Sequence, residues 1–218
     1  MKLRYEYRLK KIANLANMSG GTILEIGFAL LPNPLLRGKV IGVDIVLPKN
    51  KPSNYERMVK ADVSKKLPFR NNSVDTIVLG GVIEHLENPI NSLREMNRVL
   101  KPGGMLLIEA PNPYYLPVIF ADFTMSQKHY FKDTHVSLDP RRIMLKNLWH
   151  TGFKLNKIIS CGINLTPYFT IPTPQYIAQD IIFVAEKGTP TNEPLYSLIR
   201  DMRKTGYERI KARTRGTT

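Results

Sequence analysis

The chain lacks most of the residues and strings that would mark several large classes of protein. It has one cysteine, Cys161, in 218 residues, which excludes an internal disulfide framework and a cysteine-rich zinc cluster and suits a reducing compartment. No apolar run approaches the roughly 20 residues that cross a bilayer, and the opening "MKLRYEYRLKK" is charged where a secretory signal is apolar. The expectation is a soluble, cytoplasmic protein. Repeats and low-complexity tracts are absent, so the order of elements carries the reading. No G-x-G-x-x-G follows the first apolar run, and there is no Walker loop, HExxH helix or G-x-S-x-G elbow. The strings used by nicotinamide enzymes, P-loop enzymes, zinc proteases and serine hydrolases are therefore missing. No third ligand stands at a convincing spacing from Glu84 and His85, so no metal site is expected.

Acidic residues are also in the minority: 18 Asp and Glu stand against 32 Lys and Arg, for a net charge of +14. The excess gathers at the ends. Residues 1–19 hold five basic residues against Glu6, and residues 195–218 hold seven against Asp201 and Glu208, so the ends carry nine of those net charges. Such ends attract RNA, an anionic surface or an acidic acceptor. The expected organisation is a basic helix over 1–20, one domain over 21–188 and a basic extension over 189–218. No oligomeric state follows from the sequence.

Between the ends, 43% hydrophobic content supports one sizeable core. "TILEIG", "KVIGVDIV" (39–46), "VDTIVLG" (74–80) and "GMLLIEAPN" (104–112) are continuous apolar runs, as expected of strands covered on both faces. Helical spacing appears at Leu9, Ile12, Leu15 and Ala16, and again at Ile90, Leu93, Met96 and Leu100 before "KPGG". A third helix is expected after Asp139 and Pro140, packing through Ile143, Leu145, Leu148 and Trp149 and stopping at Gly152. Two late strands, "KLNKIIS" and "DIIFVAEKG", complete a doubly wound α/β pattern.

In such sheets ligands sit beyond the carboxyl ends of the strands. The first strand brings Glu25 and Gly27 there, the second Asp44, a following segment Asp62, and the third opens into "LGGVIEHL". Three acids in that position suit a ligand that offers an ammonium, a ribose diol and an amino-substituted base.

The strings "ILEIG", "GVDI", "ADVSKKLPFRNNSVDTIVLGGVIEHLENP" and "LREMNRVLKPGGMLLIEAPNPYY" together resemble the class I S-adenosylmethionine-dependent methyltransferases, in the methyltransferase type 11/23-like group. The resemblance runs from about Ile23 to Gly188 and is densest from Ala61 to Tyr115. It implies a seven-stranded, mostly parallel, Rossmann-like sheet with an antiparallel last strand, and S-adenosylmethionine as cofactor with S-adenosylhomocysteine as product. Carried over residue by residue, it puts the methionine end near Glu25, Gly27, Leu79 and Gly80. It puts the ribose hydroxyls on Asp44 and the adenine edge on Asp62 and the backbone of Val63.

The departure lies in "GFALLPNPL". Where the family places small residues, at Gly27, Ala29 and Leu31, this chain keeps the first two and has leucine at the third, with Phe28 and Leu30 beside them, and Asp44 follows Glu25 by only 19 positions, leaving little room for a full helix between the strands. A compact, remodelled cofactor loop is expected; a chain that has lost the cofactor and serves as a binding module is the alternative from another class. As candidates on the acceptor side, His85 follows the third strand, and His129 and His135 fall where this family builds its acceptor pocket, which Tyr114 and Tyr115 could wall. The acceptor expected is a small molecule, sugar or lipid-linked intermediate, with RNA or protein as the alternative.

Overall fold

The computed structural model describes residues 6–117, 119–120, 141–166 and 169–188. His129, His135 and the basic extension 189–218 lie outside them. Helix α1 (Glu6–Ala16) leads into strands β1 (Thr22–Ile26), β2 (Lys39–Asp44), β3 (Arg57–Lys60) and β4 (Val74–Gly80). Helix α2 (Pro89–Val99), strand β5 (Leu100–Pro111), helix α3 (Arg141–His150) and strand β6 (Phe153–Ser160) follow. A short hairpin, β7 (Ile163–Thr166) and β8 (Phe169–Ile171), precedes β9 (Asp180–Lys187).

Seven strands form one sheet in the order β3-β2-β1-β4-β5-β9-β6. Strands β1 to β5 pair in parallel, and β9 runs antiparallel to both β5 and β6. The chain returns from the β3 edge to pair β4 with β1, so the strand order reverses between β1 and β4, and ligands bind beyond the carboxyl ends of the strands at such a reversal. β3 and the β7–β8 hairpin are short elements that the apolar pattern did not announce.

Alternate residues along the strands face opposite layers. Leu24, Ile26, Ile41, Val43, Ile77, Leu79, Leu106 and Ile108 pack with Leu93, Met96 and Val99 of α2 and Met144 and Leu148 of α3. Ile23, Val40, Val78, Leu107, Ile182 and Val184 pack with Ile12, Ala13 and Ala16 of α1. In α3 the buried stripe is Met144, Asn147 and Leu148, while Ile143 and Trp149 are 45% and 46% exposed. The expected packing roles of those two are corrected: the i, i+3, i+4 stripe that meets the sheet starts one residue later. Among the described residues no helix is long and apolar enough to cross a membrane.

No helix joins β1 to β2. The volume that one would fill on the α1 face is taken by side chains. Phe28 is fully buried, its ring 5.3 Å from that of Tyr55, and Leu36 packs with them. A side chain on Gly42 would put its Cβ 2.7 Å from the Phe28 ring, so the glycine of "GVDI" is what lets Phe28 lie flat on the sheet.

Candidate cofactor site at the strand ends

The turn out of β1 is made by Gly27, at φ +82°, with its N–H donating to the Val43 carbonyl at 2.9 Å. A Cβ there would lie 2.2 Å from Cγ2 of Val82 and 3.4 Å from the Gly80 carbonyl oxygen. Both the positive φ and the close approach demand glycine. The first strand's turn therefore lies directly against the segment that follows β4, which brings Gly27, Leu79 and Gly80 into one neighbourhood.

Asp44 ends β2 half-buried. Its Oδ2 accepts from the Ala29 N–H at 3.0 Å and its Oδ1 from the Val46 N–H at 3.2 Å. The first bond ties the β1 loop to the end of β2. Its carbonyl accepts from the Ala61 N–H at 3.0 Å, which draws Asp62 and Val63 alongside. Asp62 accepts from the Ser64 backbone N–H and hydroxyl, at 2.9 and 2.6 Å. The hydroxyl first, then the backbone N–H, with Lys65 assisting, holds its carboxyl below the ordinary aspartate range. A carboxylate has about four lone-pair sites, so these bonds leave Asp44 and Asp62 capacity for a ligand's donors.

Glu25 behaves differently. It is 5% exposed, accepts from the Tyr55 hydroxyl and lies 3.4 Å from the Asn33 N–H. Burial pushes its pKa up to about 8, against the lowering effect of that N–H. The fully buried Asn33 also donates through Nδ2 to the Leu9 carbonyl of α1 at 2.9 Å, and its carbonyl accepts from Asn54 Nδ2 at 3.0 Å. The acid that the sequence offered to a ligand is thus satisfied within the protein by Tyr55 and Asn33, neither of which the motif reading singled out. Their one sequence signal is an amide in an otherwise apolar β1–β2 connection and an aromatic in the β2–β3 connection.

Neither Phe28 nor Leu30 packs into the turn at Gly27. Phe28 goes under the loop against Gly42, and Leu30 is 98% exposed. Ala29, between them, bonds to Asp44. The backbone at Gly27 and Ala29 therefore stays at the strand ends beside Asp44 despite the missing glycines.

Beyond β4, His85 closes a single turn, Ile83–His85, and is exposed. Tyr114 and Tyr115 follow β5, with Tyr114 51% exposed. Their backbone is held by the buried Asn112, whose Oδ1 accepts from the Tyr114 N–H at 3.1 Å and whose Nδ2 donates to the Ala178 carbonyl at 2.8 Å. The central sequence block is held by Arg98 of α2. Its Nη1 donates to the Phe69 carbonyl at 2.9 Å, its Nη2 to the Leu67 carbonyl at 3.1 Å, and both Nε and Nη2 reach Glu95. Glu95 in turn accepts from the Leu67 N–H at 2.7 Å. The Arg98–Glu95 pair thus clamps the "LPF" loop to the "REMNRVL" helix.

Sheet order, strand direction and the cluster at the strand ends define a class I methyltransferase fold. Residues 26–108 match the methyltransferase domain family. Over 102 residues the chain is 34% identical to demethylmenaquinone methyltransferase of Staphylococcus haemolyticus, covering 44% of this chain and 41% of the relative. The chain thus spans about two fifths of the length of such curated relatives. A SAM-dependent methyltransferase of Thermotoga maritima superposes with a TM-score of 0.64 at 18% identity, covering 84% of this chain and 90% of the other. The Burkholderia thailandensis 1,6-didemethyltoxoflavin-N1-methyltransferase, solved with S-adenosylhomocysteine, superposes with a TM-score of 0.57 at 14% identity, covering 84% and 77%.

Proposed function

We propose that the protein is an S-adenosylmethionine-dependent methyltransferase acting on a small molecule, sugar or lipid-linked intermediate. The observation that carries this reading is the joining of Gly27, Ala29 and Asp44 at the point where the strand order reverses, with Asp62 and Val63 alongside. This donor and acceptor set suits the cofactor: Asp44 keeps lone pairs for the ribose hydroxyls, Asp62 for the adenine amine, and the Val63 backbone for the ring edge. The methionine end lies by Gly27, Leu79 and Gly80, with Glu25 buried beneath them as the acid that shapes the turn.

When bound, the cofactor supplies a methyl group activated by its sulfonium. The chain's own part is to hold the acceptor in line and to exclude water. His85, His129 and His135 are proposed as acceptor-side proton acceptors, and Tyr114 and Tyr115 as walls of the pocket. A small acceptor is favoured by the names of the similar proteins, which are methyltransferases of demethylmenaquinone and of 1,6-didemethyltoxoflavin. The basic ends would add attraction for an anionic acceptor or surface.

The test is calorimetric titration with S-adenosylmethionine and S-adenosylhomocysteine. Micromolar binding, about −8 kcal/mol, lost by tenfold or more in Asp44→Ala, supports the reading. Absence of binding to either would favour the binding-module alternative.

A further inference from the structure

Two buried carboxyl groups on the other side of Gly80 each keep one oxygen without a hydrogen-bond partner among the described residues. Glu109 lies on β5 directly beside Gly80 in the sheet register and is 2% exposed. Its Oε1 accepts from Arg8 of α1 at 2.7 Å, but its Oε2 is buried with no hydrogen-bond partner among the described residues. Glu84, in the turn after β4, is 4% exposed and its Oε2 is likewise buried and unpartnered. A Cβ on Gly80 would stand 3.8 Å from Glu109 Oε2, and one on Gly81 would stand 3.8 Å from Glu84 Oε1. The two carboxyl groups therefore flank a pair of residues without side chains, in contact with the turn at Gly27.

Leaving a buried carboxylate oxygen unpaired is costly, and such atoms in a native protein ask for a missing donor. The surroundings select its charge. In a chain of net charge +14, the described groups acting on Glu109 are Glu84, Asp180 and the Arg8 guanidinium, with the Cys161 thiol nearby and Lys11 directed to the Ser160 carbonyl. No group of three His, Cys, Asp or Glu among the described residues is arranged to hold a metal ion. An organic cation with several N–H donors meets these conditions.

We infer that Glu109 and Glu84 form a buried subsite for an ammonium group. The inference rests on the proposed methyltransferase reading, which offers two sources: the amino group of the cofactor's methionine end, or an amine on the methyl acceptor. It divides the labour among the acids, since Glu25 is sealed by Tyr55 and Asn33 and the ammonium falls to the pair across Gly80 and Gly81. Burial lifts the Glu109 pKa to about 8 against the pull of Arg8. Pairing with an ammonium at neutral pH thus takes a proton off this group, and affinity strengthens as pH rises through 8.

The experiment compares full-length wild type, Glu84→Gln and Glu109→Gln by calorimetry, with thermal melts to establish folding. Two probes are S-adenosylhomocysteine and 5′-methylthioadenosine, which keeps the nucleoside and thioether but has no amino group of the methionine kind. A second pair, benzylamine and benzyl alcohol, is titrated into protein saturated with S-adenosylhomocysteine. A loss of tenfold or more for S-adenosylhomocysteine in both variants, with 5′-methylthioadenosine unchanged, supports the subsite with the cofactor as source. Unchanged nucleoside binding with benzylamine affinity lost and benzyl alcohol unaffected supports it with the acceptor as source. In either case wild-type affinity rises between pH 6.5 and 8.5 and the Glu109→Gln response is flat. Glu84→Gln leaves the Arg8 ion pair intact and keeps the test readable if Glu109→Gln misfolds. All four probes unaffected in a folded variant overturns the inference. Wild type that binds neither nucleoside overturns the methyltransferase reading instead, and the amine pair is then read on unliganded protein.

Discussion

The Tyr55 hydroxyl donates to the carboxyl of Glu25, joining the β2–β3 connection to the end of β1 inside the core. Glu25 is held with a pKa of about 8 by burial, so the folded protein keeps a proton there that the unfolded chain releases near its ordinary value. Between those limits the native state binds more protons than the unfolded state, so stability falls as pH rises from about 4.5 to about 8. Glu109 contributes in the same direction. Urea unfolding at pH 5 and at pH 8.5 measures this, with a ceiling of about 1.4 kcal/mol per pH unit for each group. Glu25→Gln removes one group's share and gains on wild type at the higher pH. Tyr55→Phe loses about 1–3 kcal/mol by taking away the donor.

Gly27→Ala meets two obstacles, the φ of +82° and Val82 Cγ2 at 2.2 Å from the added carbon. The left-handed backbone costs about 1–2 kcal/mol and the clash about 1–3 kcal/mol. Adding Val82→Ala recovers the clash and leaves the backbone strain. Denaturation of the single and double variants separates the two.

Phe28 and Gly42 depend on one another. Phe28→Ala empties a fully buried site and costs about 3–5 kcal/mol. Gly42→Ala destabilises the wild type through its 2.7 Å approach to the Phe28 ring and costs much less once Phe28 is alanine. A double-mutant cycle reads this coupling; independent effects would show that the ring moves aside freely.

Arg98→Lys keeps the charge and loses the planar fork that reaches Leu67, Phe69 and Glu95 together. A loss of about 1–2 kcal/mol is expected, with faster amide exchange at Leu67, whose N–H is held by the same Glu95. Unchanged exchange there would place the clamp elsewhere.

Much of the architecture was legible in the sequence because it is local. Continuous apolar runs mark strands covered on both faces, and the stop at "KPGG" ends α2 by backbone chemistry alone. The short spacing from Glu25 to Asp44 foretold a connection without a helix. The central block carried the class of fold, and in the structure its "LPF" and Arg98 are two halves of one clamp.

The partners of the acids were not legible, because they are set by contacts between residues far apart in the chain. Nothing near Glu25 in sequence announces Tyr55, 30 positions away, and nothing near Glu109 announces Arg8, 101 positions away. Sequence order brings Glu25, Asp44 and Asp62 to the strand ends as apparent equals. Tertiary packing distinguishes them, since the missing helix lets Phe28, Asn33 and Tyr55 close over the first strand. Glu25 is thereby buried and neutralised, while Asp44 and Asp62 remain at the rim with lone pairs to offer. Whether a carboxyl group serves the fold or a ligand depends on its desolvation and its nearest donors, and those are properties of the folded surface.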